Sequence, residues 1–118
     1  MAQHNKTGER GEDIAVEYLK NNGYKIIEQN WRYGHKEIDI IAEKNNVFVF
    51  IEVKTRSSKT FLSPKFTIGK QKVKLLISAA NAYLLKKRIT KESRFDIITV
   101  ICEKKYKVAE HLKNAIIP

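Results

Sequence analysis

The sequence predicts an α/β protein in the order α-β-β-β-α-β, with a mixed central sheet flanked by helices. Three observations lead there. Near the N-terminus Ile14, Ala15, Tyr18 and Leu19 repeat at the spacing of one helix face. Two apolar strand-like runs, residues 37–43 and 47–54, are joined by the short polar turn Lys44-Asn45-Asn46, which reads as a hairpin. A second helical stripe at residues 68–87 then separates the hairpin from a further β-rich run, residues 94–102. Helix and strand in mixed order around a central hairpin argue for a layered α/β fold over a doubly wound one, and no glycine-rich phosphate loop of the Walker or dinucleotide type is present.

Taken in order, residues 1–6 read as a loose tail. Thr7 is placed to cap the first helix, whose opening turn carries Glu9 and Glu12, the sign the helix dipole favours there. Glu12 lies one turn before Ala15 at the edge of the apolar stripe, so it can point toward whatever the helix packs on. Gly8 and Gly11 leave room for close approach of another backbone, and Gly23 is a helix stop. Residues 24–30 form a short first strand around Ile26 and Ile27, followed by Trp31, Arg32, Tyr33 and a turn at Gly34. In the second strand strict alternation puts Glu37, Asp39 and Ile41 on one face and Ile38, Ile40 and Ala42 on the other.

The third strand, residues 47–54, is apolar on both faces until its end, which marks it as central. Phe48, Phe50, Glu52 and Lys54 share one of those faces. Residues 55–67 form a loop suited to facing a substrate. The second helix follows with Thr67 as its cap, a core stripe of Val73, Leu76, Ile77, Ala80 and Leu84, and a basic end at Lys86, Lys87 and Arg88. Arg94 and Asp96 in the fourth strand are spaced to pair. Residues 106–109 can add an edge strand, and residues 111–118 read as a tail.

At 118 residues the chain, 1–118, is expected to be one domain. A single cysteine, Cys102, cannot form an internal disulfide, and Met1 to Gly11 lacks the apolar centre of a signal peptide, so the expected compartment is the cytoplasm. The formal charge of +10 is unevenly spread: residues 1–54 carry eight Lys and Arg against nine Asp and Glu, residues 55–118 fifteen against four. A basic half beside an acidic cluster suits a polyanion held near a cation site, and a solvated lysine surface is the plainer reading of the same numbers.

The acids in the central hairpin are the chemical signal. A charge carried into apolar surroundings is costly unless paired, hydrogen-bonded or bound to metal. Glu52 and Lys54 lie two apart on one strand, about 7 Å along it, and hairpin pairing brings Asp39 alongside. Two carboxylates from adjacent strands can share a hard divalent cation such as Mg²⁺ (or Mn²⁺), with Glu12 as a third, and a neighbouring lysine can orient water or offset charge on a phosphate. That is the material of a phosphodiester hydrolysis site. The plain alternative is an ion pair of Lys54 with Glu52 or Asp39 closing the sheet end. His4, His35 and His111 are poorly placed for a zinc cluster.

This arrangement resembles the PD-(D/E)XK, or restriction-endonuclease-like, nucleases. More specifically, the chain resembles the small bacterial family UPF0102, also called YraN-like. Gly8, Gly11 and Glu12 match its opening G-x-x-G-E, Asn30-Trp31-Arg32 its N-W-R, Glu37-Ile38-Asp39-Ile40-Ile41-Ala42 its E-I-D-L-I-A, and Phe50-Ile51-Glu52-Val53-Lys54-Thr55-Arg56 its F-V-E-V-K-x-R, so that the likeness covers roughly residues 8–100. Lys36 stands where that pattern usually has glycine. The similarity extends to Holliday-junction resolvases, and it implies Glu12, Asp39 and Glu52 as metal ligands, these three with Lys54 as catalytic residues, and branched DNA as a substrate, which by analogy calls for a homodimer. Arg56, Lys59, Lys65, Lys70 and Lys74 are the candidates for nucleic-acid contacts, DNA before RNA. Two other functions fit the composition: a non-catalytic nucleic-acid-binding module with a vestigial nuclease site, and an interaction protein whose basic half meets an acidic partner.

Overall fold

The computed structural model describes residues 6–57 and 69–116. Helix α1 (Lys6–Asn21) is followed by β1 (Lys25–Tyr33), β2 (Lys36–Lys44) and β3 (Val47–Arg56), then helix α2 (Lys70–Lys86), β4 (Glu92–Cys102) and β5 (Tyr106–Ile116). The five strands form one mixed sheet in sequential order. All neighbours are antiparallel except β3 and β4, which run parallel from Val47↔Glu92 to Arg56↔Ile101. A parallel pair needs a crossover connection, and α2 lies within it.

The chain ends its elements with the residues such ends require. Gly23 takes φ +85° after α1. Its N–H donates to the Lys20 carbonyl at 3.1 Å while the Tyr24 N–H reaches back to Leu19 at 2.9 Å, a Schellman cap. Asn45 and Asn46 both have positive φ, the conformation of the two-residue hairpin turn that matches strand twist. Helix α1 already includes Lys6, so Thr7 lies within its first turn and is not the cap. Helix α2 starts from extended Gly69 with no side-chain cap; Thr67 falls outside the described residues.

The helices cover opposite faces of the sheet. On one, Ala15, Val16 and Leu19 of α1 pack on Ile40, Val49, Ile51, Ile98 and Val100. On the other, Leu76, Ala79, Ala80 and Tyr83 of α2 pack on Ile41, Phe48, Phe50 and Phe95. Strand β3 feeds both clusters, as its two-sided apolarity requires. None of the helices, among the described residues, is long and apolar enough to cross a membrane.

Three further expectations need correction. Residues 31–33 continue β1 and do not leave it, because Trp31, Arg32 and Tyr33 pair with Ile38, Glu37 and Lys36. His111, expected in a tail, lies within β5, which is paired along its length with β4. Ile38 does not share a face with Ile40 and Ala42: those two join the α1 cluster, whereas Ile38 joins the α2 cluster with Ile41. The reason is local. The β2–β3 ladder ends at Ile40↔Ile51, and Asn30, between the Gln29–Ile40 and Trp31–Ile38 pairs of β1, sits at φ +55°. Alternation is broken at Asp39, where β2 leaves β3 and a cleft opens between the strand ends.

Candidate active site

Asp39 occupies the point of departure. Where the next ladder bond would form, its own Oδ2 accepts the Val53 N–H at 2.8 Å. The side chain replaces a backbone carbonyl, satisfying β3 while holding an acid at the mouth of the gap. Glu52, one residue beyond the last ladder pair, is only 6% exposed. Asp39 and Glu52 line one open cleft of about 470 Å³ with Lys54, Glu12, Glu37, Lys36, Arg56 and Lys72. The arrangement brings Glu12, Asp39, Glu52 and Lys54 together from α1, β2 and β3.

Glu12 reaches the cleft because α1 lies close on the end of β3. Gly11 is buried against Thr55: a Cβ at Gly11 would overlap Thr55 Oγ1 and come within 3.1 Å of its Cβ. The expectation of another backbone at this glycine is corrected: its close neighbour is the Thr55 side chain, and this contact fixes how near Glu12 comes.

Charge in the cleft is organised around Glu52. Its Oε2 receives Lys72 at 2.5 Å and Lys54 at 3.0 Å. Its Oε1 has no hydrogen bond, and the Lys36 ammonium lies 3.8 Å from it. Burial favours the protonated acid, but Lys72, Lys54 and Lys36 outweigh it and hold the Glu52 carboxyl below its usual range. Asp39 goes the other way. Burial first, then the neighbouring Glu52 charge, push its pKa up to about 7, against the lowering effect of the Val53 N–H. Two neighbouring carboxylates do not ionise with equal ease: burial and the Glu52 charge outweigh the weak lowering of the Asp39 pKa by Lys36, so Asp39 takes the proton. Burial also lowers the Lys54 pKa, with Lys72 adding to the effect.

The nucleic-acid candidates divide. Arg56 lines the cleft and donates to the Thr55 carbonyl at 3.0 Å. Lys70 and Lys74 are exposed on α2 and do not line it. Lys59 and Lys65 lie outside the described residues. Lys72, absent from the expected set, is the α2 lysine that enters. The buried residues of α2 include Leu76, Ala79 and Tyr83; Lys72 lies one turn before Leu76 on that line. Recognising Tyr83 as core would have put Lys72 on the inward stripe.

The donor set can be tested for a cation. No group of three or more His, Cys, Asp or Glu among the described residues is gathered tightly enough to hold a metal ion. Of the four acids lining the cleft among the described residues, Asp39 and Glu52 come from the neighbouring strands β2 and β3, and Glu52 has a buried, unbonded oxygen. Mg²⁺ commonly takes one or two carboxylates and completes its shell with water and substrate phosphate. An orphaned carboxylate oxygen beside an acid that resists ionisation fits that pattern.

Residues 11–100 match the family described as "Uncharacterised protein family UPF0102". A UPF0102 protein of Flavobacterium psychrophilum is 47% identical over 115 residues, covering 98% of this chain and 97% of its own length. One from Bacteroides thetaiotaomicron is 46% identical over 118 residues, with 100% and 98% covered. One from Persephonella marina is 45% identical over 109 residues, with 92% and 90% covered.

Proposed function

We propose that this chain, which belongs to the uncharacterised protein family UPF0102, is a metal-dependent nuclease-like protein of the cytoplasm that binds DNA and hydrolyses phosphodiester bonds. The proposal includes membership of the PD-(D/E)XK superfamily, a preference for branched DNA, and a two-fold homodimer, since resolving a junction takes two cuts. The observation that carries it is the convergence of Asp39, Glu52 and Lys54 on one cleft, with a Glu52 oxygen left unbonded. Asp39 and Glu52 would hold Mg²⁺, or Mn²⁺ in its place, with Glu12 at the margin. Bound there, the ion supplies charge stabilisation for a phosphoryl oxygen and acidifies water. Lys54, already 3.0 Å from Glu52, orients the attacking water and offsets charge on the phosphate. Arg56 and Lys72 hold neighbouring phosphate oxygens, and the basic half supplies salt-sensitive attraction to the polyanion.

The test is a panel of branched, nicked, duplex and single-stranded DNA, with RNA alongside, incubated with Mg²⁺ or Mn²⁺. The wild type cleaves at least one DNA form, and Lys54→Ala lowers that rate about 10²- to 10⁴-fold. Cleavage unchanged by Lys54→Ala, or absent throughout, removes the hydrolytic reading.

A non-catalytic DNA-binding module is favoured by one specific feature: the lysines already neutralise Glu52. Lys72→Met separates the two readings. If Lys72 occupies charge space that a cation needs and turns to phosphate when DNA arrives, its loss has effects of opposite sign. Calorimetry shows tighter Mn²⁺ binding without DNA, while DNA affinity falls and the slope of log affinity against log salt shrinks by about one. A silent module gives no Mn²⁺ binding in either protein and retains its affinity for DNA.

A further inference from the structure

Beside the cleft stands an aromatic surface that phosphate chemistry does not use. Tyr33, at the end of β1, is 49% exposed despite its size. Its ring lies parallel to that of Trp31, with 3° between planes and centroids 6.2 Å apart. Trp31 is locked in turn, edge-on to the buried Tyr83 at 5.2 Å. Tyr33 is therefore the outermost ring of a column anchored in the α2-side core, and little freedom is left to lose when something stacks on it. Its cross-strand partner is Lys36, the residue whose ammonium faces Glu52 Oε1 at 3.8 Å. Paired residues on adjacent strands sit side by side, so a flat apolar ring adjoins a cation that lines the cleft.

We propose that Tyr33, backed by Trp31, is a stacking platform for one unpaired nucleobase next to the phosphate held in the cleft. The inference rests on the nucleic-acid reading and deepens it: the preferred substrate presents a single-stranded or frayed nucleotide at the site. A nucleobase in a continuous duplex has both faces covered by its neighbours and cannot use the platform, whereas a base at a branch, flap or end can. Lys36 would lie along the backbone of that same nucleotide.

The experiment measures binding without metal, so that hydrolysis plays no part. Single-stranded DNA carrying 2-aminopurine is titrated with wild type, Tyr33→Ala and Tyr33→Phe, alongside a duplex of the same sequence. The chain's one tryptophan serves as a second reporter. Wild type quenches 2-aminopurine and Trp31 emission together. Tyr33→Ala loses about tenfold in single-strand affinity and the quenching with it, Tyr33→Phe keeps both, and duplex affinity stays the same in all three. Unchanged single-strand binding by Tyr33→Ala, or an equal loss for both DNA forms, overturns the platform and leaves the hydrolytic reading standing. Stacking in a protein that cleaves nothing keeps the platform and removes hydrolysis. Failure of wild type to bind either DNA overturns both.

Discussion

Replacing Asp96 by alanine lowers the unfolding free energy by about 3–5 kcal/mol, the cost of stripping one partner from a buried ion pair. Asp96 is fully buried in the middle of β4, and each of its oxygens has two partners. Arg94 Nε and the Asn114 N–H donate to Oδ1 at 3.0 and 2.9 Å; Arg94 also reaches Oδ2 at 3.2 Å, where His111 Nε2 lies at 2.7 Å. The network continues outward. His111 Nδ1 meets Tyr18 OH of α1 at 2.8 Å, and Arg94 donates to Tyr24 OH at 2.9 Å. One carboxylate thus ties β5, α1 and Tyr24, the residue before β1, to the central sheet. Its removal strands Arg94 and frees the segment that positions α1. Urea unfolding at pH 7 measures the loss, and a change below about 1 kcal/mol would contradict this account of the network.

The same carboxylate sets part of the acid limit. Burial alone would raise its pKa, but His111, Arg94 and the Asn114 N–H outweigh burial and lower it. A carboxyl with a folded pKa below its unfolded one adds stability in full above about pH 4, lost as pH falls through the folded value. Wild type should therefore lose stability on acidification through that range more steeply than Asp96→Ala does.

How much of this could be read in the sequence depends on how regular each element is. The hairpin was legible because its turn and its two-sided apolar strand obey simple periods, and the placing of Asp39 beside Glu52 and Lys54 follows from that register. The pairing of Arg94 with Asp96 was legible because i, i+2 residues on a strand share a face. Strand β5 is mostly illegible: it is an edge strand whose exposed positions mix polar and apolar residues (Lys107, Ala109, Leu112, Lys113), so alternation carries little signal, and the role of His111 goes with it. The expectation for Ile38 fails because strict alternation holds only while a strand stays in its ladder, and β2 leaves β3 at Asp39. Lys72 was missed by a small error of helix phase. The expected stripe ran through Ile77 and Leu84, while the buried line includes Ala79 and Tyr83; that rotation turns an apparently solvated lysine inward. Local rules failed where the chain departs from regularity, and two of those departures are at the cleft.

Asp39→Asn makes the protein more stable at pH 8, by about 2–4 kcal/mol, while abolishing its response to divalent cations. The folded pKa of Asp39 lies near 7 against an ordinary value of 3.8, so between these limits the folded chain holds a proton that the unfolded chain has released. Stability therefore falls as pH rises from about 4 to about 7 and then levels off, the reverse of the dependence at Asp96. The amide carries no charge to bury beside Glu52, and its oxygen can still accept the Val53 N–H. The gain from the substitution should accordingly shrink to about 1 kcal/mol at pH 4.5, where little of the ionisation cost is incurred. A cation that binds the ionised pair relieves the same cost: Mn²⁺ raises the melting temperature of wild type at pH 8 and leaves that of Asp39→Asn unchanged. Loss of stability in Asp39→Asn at pH 8, or a gain that does not vary with pH, would show that the acid is a structural hydrogen-bond acceptor and nothing more. A gain confined to neutral and higher pH, with the Mn²⁺ response gone, identifies Asp39 as a group kept at the expense of stability, which is the behaviour of a ligand waiting for its ion.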